Sequence, residues 1–270
     1  ILPAIESGEI RGLWLIATNP MTSMPNTELM RKLLAKLEFL VVQDAYADVE
    51  TNQYSHVFLP SAVWAEKEGC FTNTERRVNL IRNVVKPHGE SKTDLEIFNQ
   101  MATRFEDGAK MVFPENAEGV FDELKQLSKG RMLDYSGMTY DKIEESRGLQ
   151  WPCNEDTALE GSQRLYTDGV FQFDDGKAKL LALPFVDDNE RPNEEYPFWL
   201  NSGRVVEHFH TRTRTGKVGN ANKFSPTPYM EMNPQAAEKL GIEHGSYVKV
   251  LSIRGDATVM VQCTERIAPD

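Results

Sequence analysis

Cysteine is scarce in this sequence, which contains three such residues in 270. Cys70, Cys153 and Cys263 are far apart, so they define neither a disulfide framework nor a Cys-x-x-Cys metal site. Free, buried thiols in a reducing compartment are the expected state. The sequence also lacks any apolar run that approaches the ~20 residues needed for a membrane-spanning helix.

Other absences narrow the function. No Gly-x-Gly-x-x-Gly follows the first predicted strand, which argues against ordinary dinucleotide binding. The net charge of −11 argues against general affinity for nucleic acids or anionic membranes, because polyanions would be repelled. The sequence opens at Ile1 without a signal-peptide pattern and closes at Asp270 without a polar tail, and we expect it to be an excerpt from a longer polypeptide.

The first 112 residues predict an α/β domain with a doubly wound, mostly parallel sheet. The run Leu13–Ile16 is apolar on both faces, which is typical of a buried parallel strand. A helix with leucines at helical spacing follows it. The further predicted elements are a strand ending at Gln43-Asp44, a strand at His56–Leu59, and an amphipathic helix in SKTDLEIFNQMATRFED, residues 91–107, that Ser91 or Thr93 could cap.

Sheets of this kind bind ligands at the carboxyl ends of their strands, because loops and helix N-termini converge there. That rule places Thr18-Asn19, Gln43-Asp44 and the segment after Leu59 on one functional edge. A purely structural role is the alternative: Asn19-Pro20 could be only a turn, and Asp44 could be only a helix cap.

Residues 113–195 predict an irregular connector with one or two hairpins, in which RLYTDGVFQF and AKLLALPF are strand-like. Residues 196–270 predict a small closed β-barrel. Its expected parts are strands in YPFWLN, SYVKVLSIRG and DATVMVQCT, a short helix before Gly241, and a tight turn at Arg254-Gly255-Asp256.

The stretch SGRVVEHFHTRTRTGKV, residues 202–218, is named here the cationic loop. It gathers four cations and two of the five histidines in an acidic chain. Arginine forks and closely approaching backbone N–H groups are typical of phosphate binding, so a phosphate-bearing ligand is expected. If the loop is extended, its threonines at 211, 213 and 215 would point to one side and Arg212 and Arg214 to the other.

Several phrases carry a family resemblance. They are GLWLIATNP, ETNQYSHVFLP through EGCFTNTERR, RGLQWPC, RLYTDGVFQFDDGKAKLLALP and the cationic loop. In this order they resemble the C-terminal half of the molybdenum bis-molybdopterin guanine dinucleotide oxidoreductases, and within that family the nitrate reductases, especially the assimilatory type. The resemblance implies a guanosine-binding α/β domain at 1–112, a connector at 113–195, and a C-terminally truncated double-psi β-barrel domain at 196–270 that binds the molybdopterin dinucleotide.

The resemblance also implies which residues contact the cofactor. At the strand edge they are Asn19, Gln43, Asp44, Lys67 and Asp94. In the cationic loop they are Ser202, Gly203, Arg204, His208, His210 and Thr211. The carboxylate of Asp44 would accept paired N–H donors from the guanine edge, and Lys67 would neutralise charge on the diphosphate or ribose side.

Each of these residues has an alternative role. Asp94 could merely complement the positive end of a helix, and Lys67 could be a solvated surface lysine between two glutamates. His208 and His210 could ligate a metal ion, although no third ligand with suitable spacing is evident. Arg76-Arg77 could face the cofactor or pair with Glu75 and the connector; the sequence leaves this open.

For function, the resemblance implies a molybdenum-dependent reduction of nitrate to nitrite by oxygen-atom transfer. The cysteines for a 4Fe–4S cluster and the protein ligand of molybdenum would belong to missing N-terminal domains of the same chain. This segment is therefore expected to hold no catalytic residue and to be inactive alone. A formate dehydrogenase, another member of the family, or a non-catalytic cofactor-binding module are the alternatives. A cytoplasmic location is expected, with a periplasmic one as the alternative.

Overall fold

The computed structural model describes residues 1–105, 107, 113–157, 161–187 and 190–268. Three strands open the fold: β1 (Gly12–Ile16), β2 (Phe39–Asp44) and β3 (Val57–Pro60). They pair in parallel in the order β1-β2-β3, which confirms the parallel pairing predicted for the first part of the chain. All three strands therefore end at the same edge, where a ligand site was expected.

Helices cover both faces of this sheet. Leu13, Leu15 and alternate residues of β2 pack against α1 (Leu2–Ser7), α2 (Pro20–Ser23) and α3 (Thr27–Lys36). On the other face, Trp14 meets Phe98 of α4 (Asp94–Ala102) edge-on, with ring centroids 5.7 Å apart. This first core consists of Ile5, Met21, Met30, Leu33, Leu34, Leu37, Leu40 and Val42.

A second core joins residues from both sides of the boundary predicted at 112/113. Strands β4 (Gly69–Thr72), β5 (Arg77–Ile81) and β6 (Leu149–Gln150) form an antiparallel sheet, which packs with α5 (Ala117–Ser128) and α6 (Tyr140–Glu145). Its buried members are Val78, Phe121, Met138, Tyr140, Ile143, Leu149 and Cys153. Residue 112 itself lies outside the described residues.

The connector differs from its prediction. Residues 113–157 carry the two helices α5 and α6, and the stretches 161–187 and 190–195 contain none of the expected hairpin strands. The apolar run AKLLALPF lies exposed, with Leu180 at 92% and Phe185 at 89% of full exposure. Strand propensity alone was misleading here, because a strand needs a partner for its backbone donors and acceptors.

The predicted closed barrel is wrong for the described residues. Strands β7 (Tyr229–Met232), β8 (Tyr247–Ser252) and β9 (Gly255–Cys263) form an open sheet in the order β7-β9-β8. The predicted strand YPFWLN does not form, and its Phe198, Trp199 and Leu200 stay exposed. Three strands are too few to close a barrel, so the edges of the sheet remain unpaired.

Two details of this last unit follow its sequence. Helix α8 (Pro234–Lys239) begins after Asn233, whose side chain accepts a hydrogen bond from the N–H of Gln235, and Gly241 adopts a φ of +67° just beyond its end. The chain then turns between β8 and β9 in register Ser252↔Gly255, as expected for the hairpin. An additional helix, α7 (Gly219–Phe224), directly follows the cationic loop. No helix in the described ranges is long and apolar enough to cross a bilayer.

Candidate functional site

Three of the predicted cofactor contacts form one hydrogen-bonded chain at the carboxyl edge of the parallel sheet. Nε2 of Gln43 donates to Oδ1 of Asp94 at 2.8 Å, and the ammonium of Lys67 binds Oδ2 of the same carboxylate. Gln43 is fully buried, whereas the Lys67 and Asp94 side chains are 34% and 28% exposed. Lys67 is therefore held in a half-buried ion pair and is not a freely solvated surface lysine.

Thr93, of the two candidates, caps α4. Its hydroxyl oxygen accepts from the N–H of Glu96 at 3.2 Å, and the Glu96 carboxylate accepts from the N–H of Thr93 at 2.7 Å, which is a capping box. Asp94 occupies the first turn, where its charge also suits the helix dipole. Because Thr93 supplies the cap, the Asp94 carboxylate can turn toward Gln43 and Lys67.

Asp44 ends β2 directly after Gln43. Its Oδ1 accepts the backbone N–H of Tyr46 at 3.0 Å. Burial raises the pKa of the Asp44 carboxyl, outweighing the backbone hydrogen bonds from Tyr46 and Ala45 and the positive charge of Arg214, all of which lower that pKa. Asp44 is thus a half-buried carboxylate at the sheet edge, a suitable acceptor for N–H donors.

Asn19 is the residue before α2, and its side-chain amide is already used. Its Nδ2 donates to Glu50 at 2.7 Å, and its Oδ1 accepts from the hydroxyl of Thr51 at 2.6 Å. The fully buried Thr51 in turn accepts from the N–H of Met21 at 3.2 Å. Asn19 therefore ties the loop after β2 to the loop after β1, which fixes the shape of the edge.

The cationic loop is coiled, and the extended form considered above is wrong. Arg212 has a φ of +68°, its carbonyl accepts the N–H of Gly216 at 2.7 Å, and residues Thr215–Lys217 form a 3₁₀ turn. The Arg212 guanidinium points back into the chain, donating to the Pro226 carbonyl at 3.0 Å and to Asn222 at 2.8 Å. Arg212 is thereby committed to holding the loop against α7.

His208 organises the same loop. Its Nε2 lies 2.7 Å from the Ser225 carbonyl, which can only accept, so Nε2 carries the proton. Its Nδ1 then accepts from the Thr215 hydroxyl at 3.0 Å, and Thr215 Oγ1 accepts from the N–H of Phe209 at 3.2 Å. Both ring nitrogens are used within the chain.

The remaining predicted loop residues are more accessible. Ser202, Gly203 and Arg204 are exposed and lie in chain without regular secondary structure. His210 is also exposed and packs edge-on against Phe209, with ring centroids 4.2 Å apart. The Thr211 hydroxyl lies 3.1 Å from that of Thr213. The cofactor roles of these residues remain predictions.

One end of the cationic loop contacts the strand edge. Lys217 binds the Asp48 carboxylate, four residues beyond Asp44, and its ammonium lies 5.6 Å from the ring centroid of Tyr46. Arg214 lies near enough for its charge to act on Asp44. Asp48 and Tyr46 were missed by sequence reasoning, because their partners are about 170 residues away along the chain. The sequence offered one signal for this contact, the opposite charges of the segment after β2 and of the cationic loop.

Arg76 and Arg77 bind the connector, which settles the choice that the sequence left open. The Arg76 guanidinium donates to the carbonyls of Trp151, Ser162 and Gln163, and it stacks 5.5 Å from the Trp151 ring centroid. Arg77 donates to the Gly148 carbonyl at 2.9 Å. Both side chains therefore serve the second core.

No group of three or more His, Cys, Asp or Glu side chains is placed to hold a metal ion within the residues that the structure describes. The alternative of a metal on His208 and His210 accordingly finds no third ligand. The three cysteines are free thiols, as predicted, but only Cys153 is buried, and Cys70 and Cys263 are partly exposed. Burial raises the pKa of Cys70 to about 11, which keeps this thiol protonated near neutrality.

Comparison with protein families gives two matches. Residues 2–104 match the family described as molybdopterin oxidoreductase, and residues 198–270 match the molybdopterin dinucleotide binding domain. In solved structures, the chain resembles acetylene hydratase from Pelobacter acetylenicus with a TM-score of 0.71 over 97% of this chain and 37% of that one. At 18% identity, that likeness shows a shared fold alone.

Curated relatives cover nearly the whole chain. A nitrate reductase of Synechocystis is 40% identical over 98% of this chain and 37% of its own length. The F420-dependent formate dehydrogenase subunit alpha of Methanocaldococcus jannaschii is 38% identical over 97% and 38%, respectively. The assimilatory nitrate reductase catalytic subunit of Bacillus subtilis is 36% identical over 100% and 38%. The chain spans less than two fifths of the length of these relatives.

Proposed function

The chain belongs to the molybdopterin oxidoreductase family, and from that premise we propose that it is the cofactor-binding C-terminal part of a molybdenum-dependent nitrate reductase. In this proposal, the segment binds the guanosine, diphosphate and pterin parts of a bis-molybdopterin guanine dinucleotide. The reaction itself, reduction of nitrate to nitrite, belongs to the full-length enzyme, and the segment alone is expected to be inactive.

The observation that carries the proposal is the half-buried Asp44 carboxylate at the carboxyl edge of the sheet, the same edge that carries the Lys67–Asp94 ion pair. Asp44 has one oxygen bound by the N–H of Tyr46, and it presents the acceptor character that the N1–H and N2–H donors of guanine require. Lys67 lies on the same sheet edge, aimed by Asp94. A guanine nucleotide needs an acceptor for the N–H groups of its base and a cation for its phosphates, and this edge offers both.

One buried atom also fits a bound group in this region. Oε1 of Gln43 is fully buried and accepts no hydrogen bond within the described part of the chain. Such an orphaned acceptor is costly unless something satisfies it. Along β2, Gln43 lies between Val42 of the first core and Asp44 of the proposed site.

In this proposal, Asp44 holds guanine, and Lys67 and Asp94 hold the ribose and diphosphate side. Ser202, Gly203, Arg204, His210 and Thr211 line the pterin and phosphates from the opposite wall, and His208 holds that wall in shape. When bound, the cofactor supplies molybdenum for two-electron oxygen-atom transfer. A 4Fe–4S cluster and the protein ligand of molybdenum would come from the rest of the polypeptide.

The same rest of the polypeptide is the proposed partner of the exposed apolar residues. Leu180, Leu183, Phe185 and Val186 lie in chain without secondary structure, and the least exposed of them, Val186, is 80% exposed. So much apolar surface is unfavourable in water and marks a contact region. The relatives carry additional chain amounting to more than half of their length, which is sufficient to cover it.

A formate dehydrogenase is the second candidate, supported by the 38% identity to the Methanocaldococcus jannaschii subunit. A non-catalytic cofactor-binding module is the third. The complete polypeptide separates them: nitrate-dependent oxidation of a reduced dye supports the first, and formate-dependent reduction of an oxidised dye supports the second. Absence of molybdenum and pterin from the purified complete polypeptide, with no turnover, supports the third. A cytoplasmic site of action belongs to the first proposal.

The cofactor-binding role is tested on this chain with guanosine diphosphate and calorimetry. We expect Asp44→Asn to weaken binding about tenfold or more, because an amide presents a donor toward the guanine donors. Glu123→Gln on the exposed face of α5 is the matched control for loss of one negative charge, and it should bind normally. Equal affinity of wild type and Asp44→Asn would reject the assignment of the guanine site to this edge.

A further inference from the structure

The contact between the cationic loop and the strand edge consists of two interactions made by one side chain. The Lys217 ammonium binds the Asp48 carboxylate and also lies 5.6 Å from the Tyr46 ring centroid. The hydrogen bond from Lys217 lowers the pKa of Asp48, as expected for a paired carboxylate. We name Tyr46, Asp48 and Lys217 the latch. It joins the segment after β2 to the loop before α7.

Arg214 lies three residues before Lys217 of the latch. The N–H of Lys217 donates to the Arg214 carbonyl at 3.0 Å, so the two residues are fixed relative to each other by the 3₁₀ turn. The Arg214 guanidinium lies 5.9 Å from the Phe209 ring centroid, and its charge acts on Asp44. Within the residues described, the guanidinium has no hydrogen-bond or ion-pair partner.

The other cations near this edge are committed. Arg212 is bound to Pro226 and Asn222, Lys217 to Asp48, and Lys67 to Asp94. Arg214 therefore keeps its donors available on a loop that Lys217 joins to Asp48, four residues beyond the proposed guanine acceptor. A guanidinium with a free fork is the group best suited to two phosphate oxygens.

We propose that Arg214 binds the phosphate of a guanine nucleotide whose base is held by Asp44, and that the latch of Tyr46, Asp48 and Lys217 positions it there. This inference rests on the proposed function of the Asp44 edge. Neither contact of the latch is strong alone, because both charged side chains are substantially exposed. Their value lies in fixing the loop before the ligand arrives, which reduces the ordering cost of binding.

The test compares guanosine with guanosine diphosphate on the whole 270-residue chain, measured by calorimetry at low ionic strength. The ratio of the two dissociation constants isolates the phosphate contribution. Arg214→Gln should remove most of that ratio and leave guanosine binding unchanged. Lys217→Met should reduce the ratio about threefold to tenfold, as expected from losing one exposed ion pair and one cation–π contact.

Two variants serve as controls. Lys217→Arg can keep both latch contacts and should restore the ratio. Lys223→Met removes a nearby cation on α7 that is outside the latch, so it controls for general loss of positive charge and should leave the ratio unchanged. If Lys217→Met and Lys223→Met alter the ratio equally, or if Arg214→Gln leaves it unchanged, the proposal is overturned.

Hydrogen exchange separates this inference from the proposed function. The amides of Gly216, Lys217 and Val218 are hydrogen-bonded within the turn and report its stability. We expect Lys217→Met, but not Lys223→Met, to speed their exchange about threefold or more. If no variant binds the nucleotide but this difference is seen, the positioning role stands while the guanine site fails. Unchanged exchange in Lys217→Met rejects the latch.

Discussion

Replacing Asp94 measures how much the hydrogen-bonded chain at the sheet edge contributes to stability. Asp94→Ala leaves the buried Nε2 of Gln43 without its acceptor, which costs about 1–3 kcal/mol. It also removes the partly exposed pairing with Lys67, about 0–1 kcal/mol, and a negative charge in the first turn of α4, about 0.3–1 kcal/mol. Asp94→Asn loses the last two contributions but keeps an oxygen for Gln43.

The difference between the two variants therefore isolates the buried amide, and Asp94→Ala should be less stable than Asp94→Asn by about 1–3 kcal/mol. The measurement is the free energy of opening of the parallel sheet, read from hydrogen exchange of the β2 amides. Adding Gln43→Leu to Asp94→Ala removes the orphaned amide and should recover much of the difference. Equal stabilities of the Ala and Asn variants would refute the reasoning.

Three further predictions follow from the site and its surroundings. Burial raises the pKa of Asp44 above its usual 3.8, and guanine requires the ionised carboxylate. Affinity for guanosine diphosphate should therefore be highest above that raised pKa and should fall as the pH drops through it. Calorimetry between pH 4 and pH 7 checks this, and the Asp44→Asn variant should show no such fall. Arg76→Lys should destabilise the connector by about 1–3 kcal/mol, because an ammonium lacks the planar set of donors with which the guanidinium binds three carbonyls. Limited proteolysis should then cut residues 161–187 faster than it does in the control variant Arg31→Lys. With its pKa raised to about 11, Cys70 should react with iodoacetamide at pH 8 far more slowly in the folded chain than in urea, and equal rates would contradict its burial.

The elements that the sequence predicted well are those whose residues carry their own periodicity. Leu29, Leu33 and Leu34 recur at helical spacing in α3, and the continuous apolar run of β1 forms a strand in which Leu13, Trp14 and Leu15 are partly buried and Ile16 is exposed. Such patterns specify which side chains are buried, and burial is what holds these elements in place. Parallel pairing then followed from the alternation of strand and helix.

The elements that failed depended on a partner. AKLLALPF and YPFWLN have the composition of strands, but composition does not say which strand would pair with them, and none does in the described residues. The helix α5 was missed although Asn116 caps it by accepting the N–H of Gly119 at 2.8 Å. Its apolar residues Val120, Phe121, Leu124 and Leu127 also recur at helical spacing, so the signal for this helix was present in the sequence and was overlooked.

The site was predicted in part for the same reason. Gln43 and Asp44 could be placed at an edge, because strand ends are readable from sequence. The ion pair of Lys67 with Asp94 and the contact of Lys217 with Asp48 could not be predicted from sequence, since each joins segments that are far apart along the chain. Asp94 shows that two readings of one residue need not exclude each other: it lies in the first turn of a helix and also anchors a lysine.

The shared second core has a practical meaning for anyone who divides this polypeptide. Cutting after residue 112 would separate Val78 from Phe121, Met138 and Leu149, and would leave β5 as half of a bare hairpin. Such a piece would expose an apolar surface and should precipitate during expression. An amino-terminal piece that extends through Cys153 keeps the whole of that interior together, and it is the shorter version worth making.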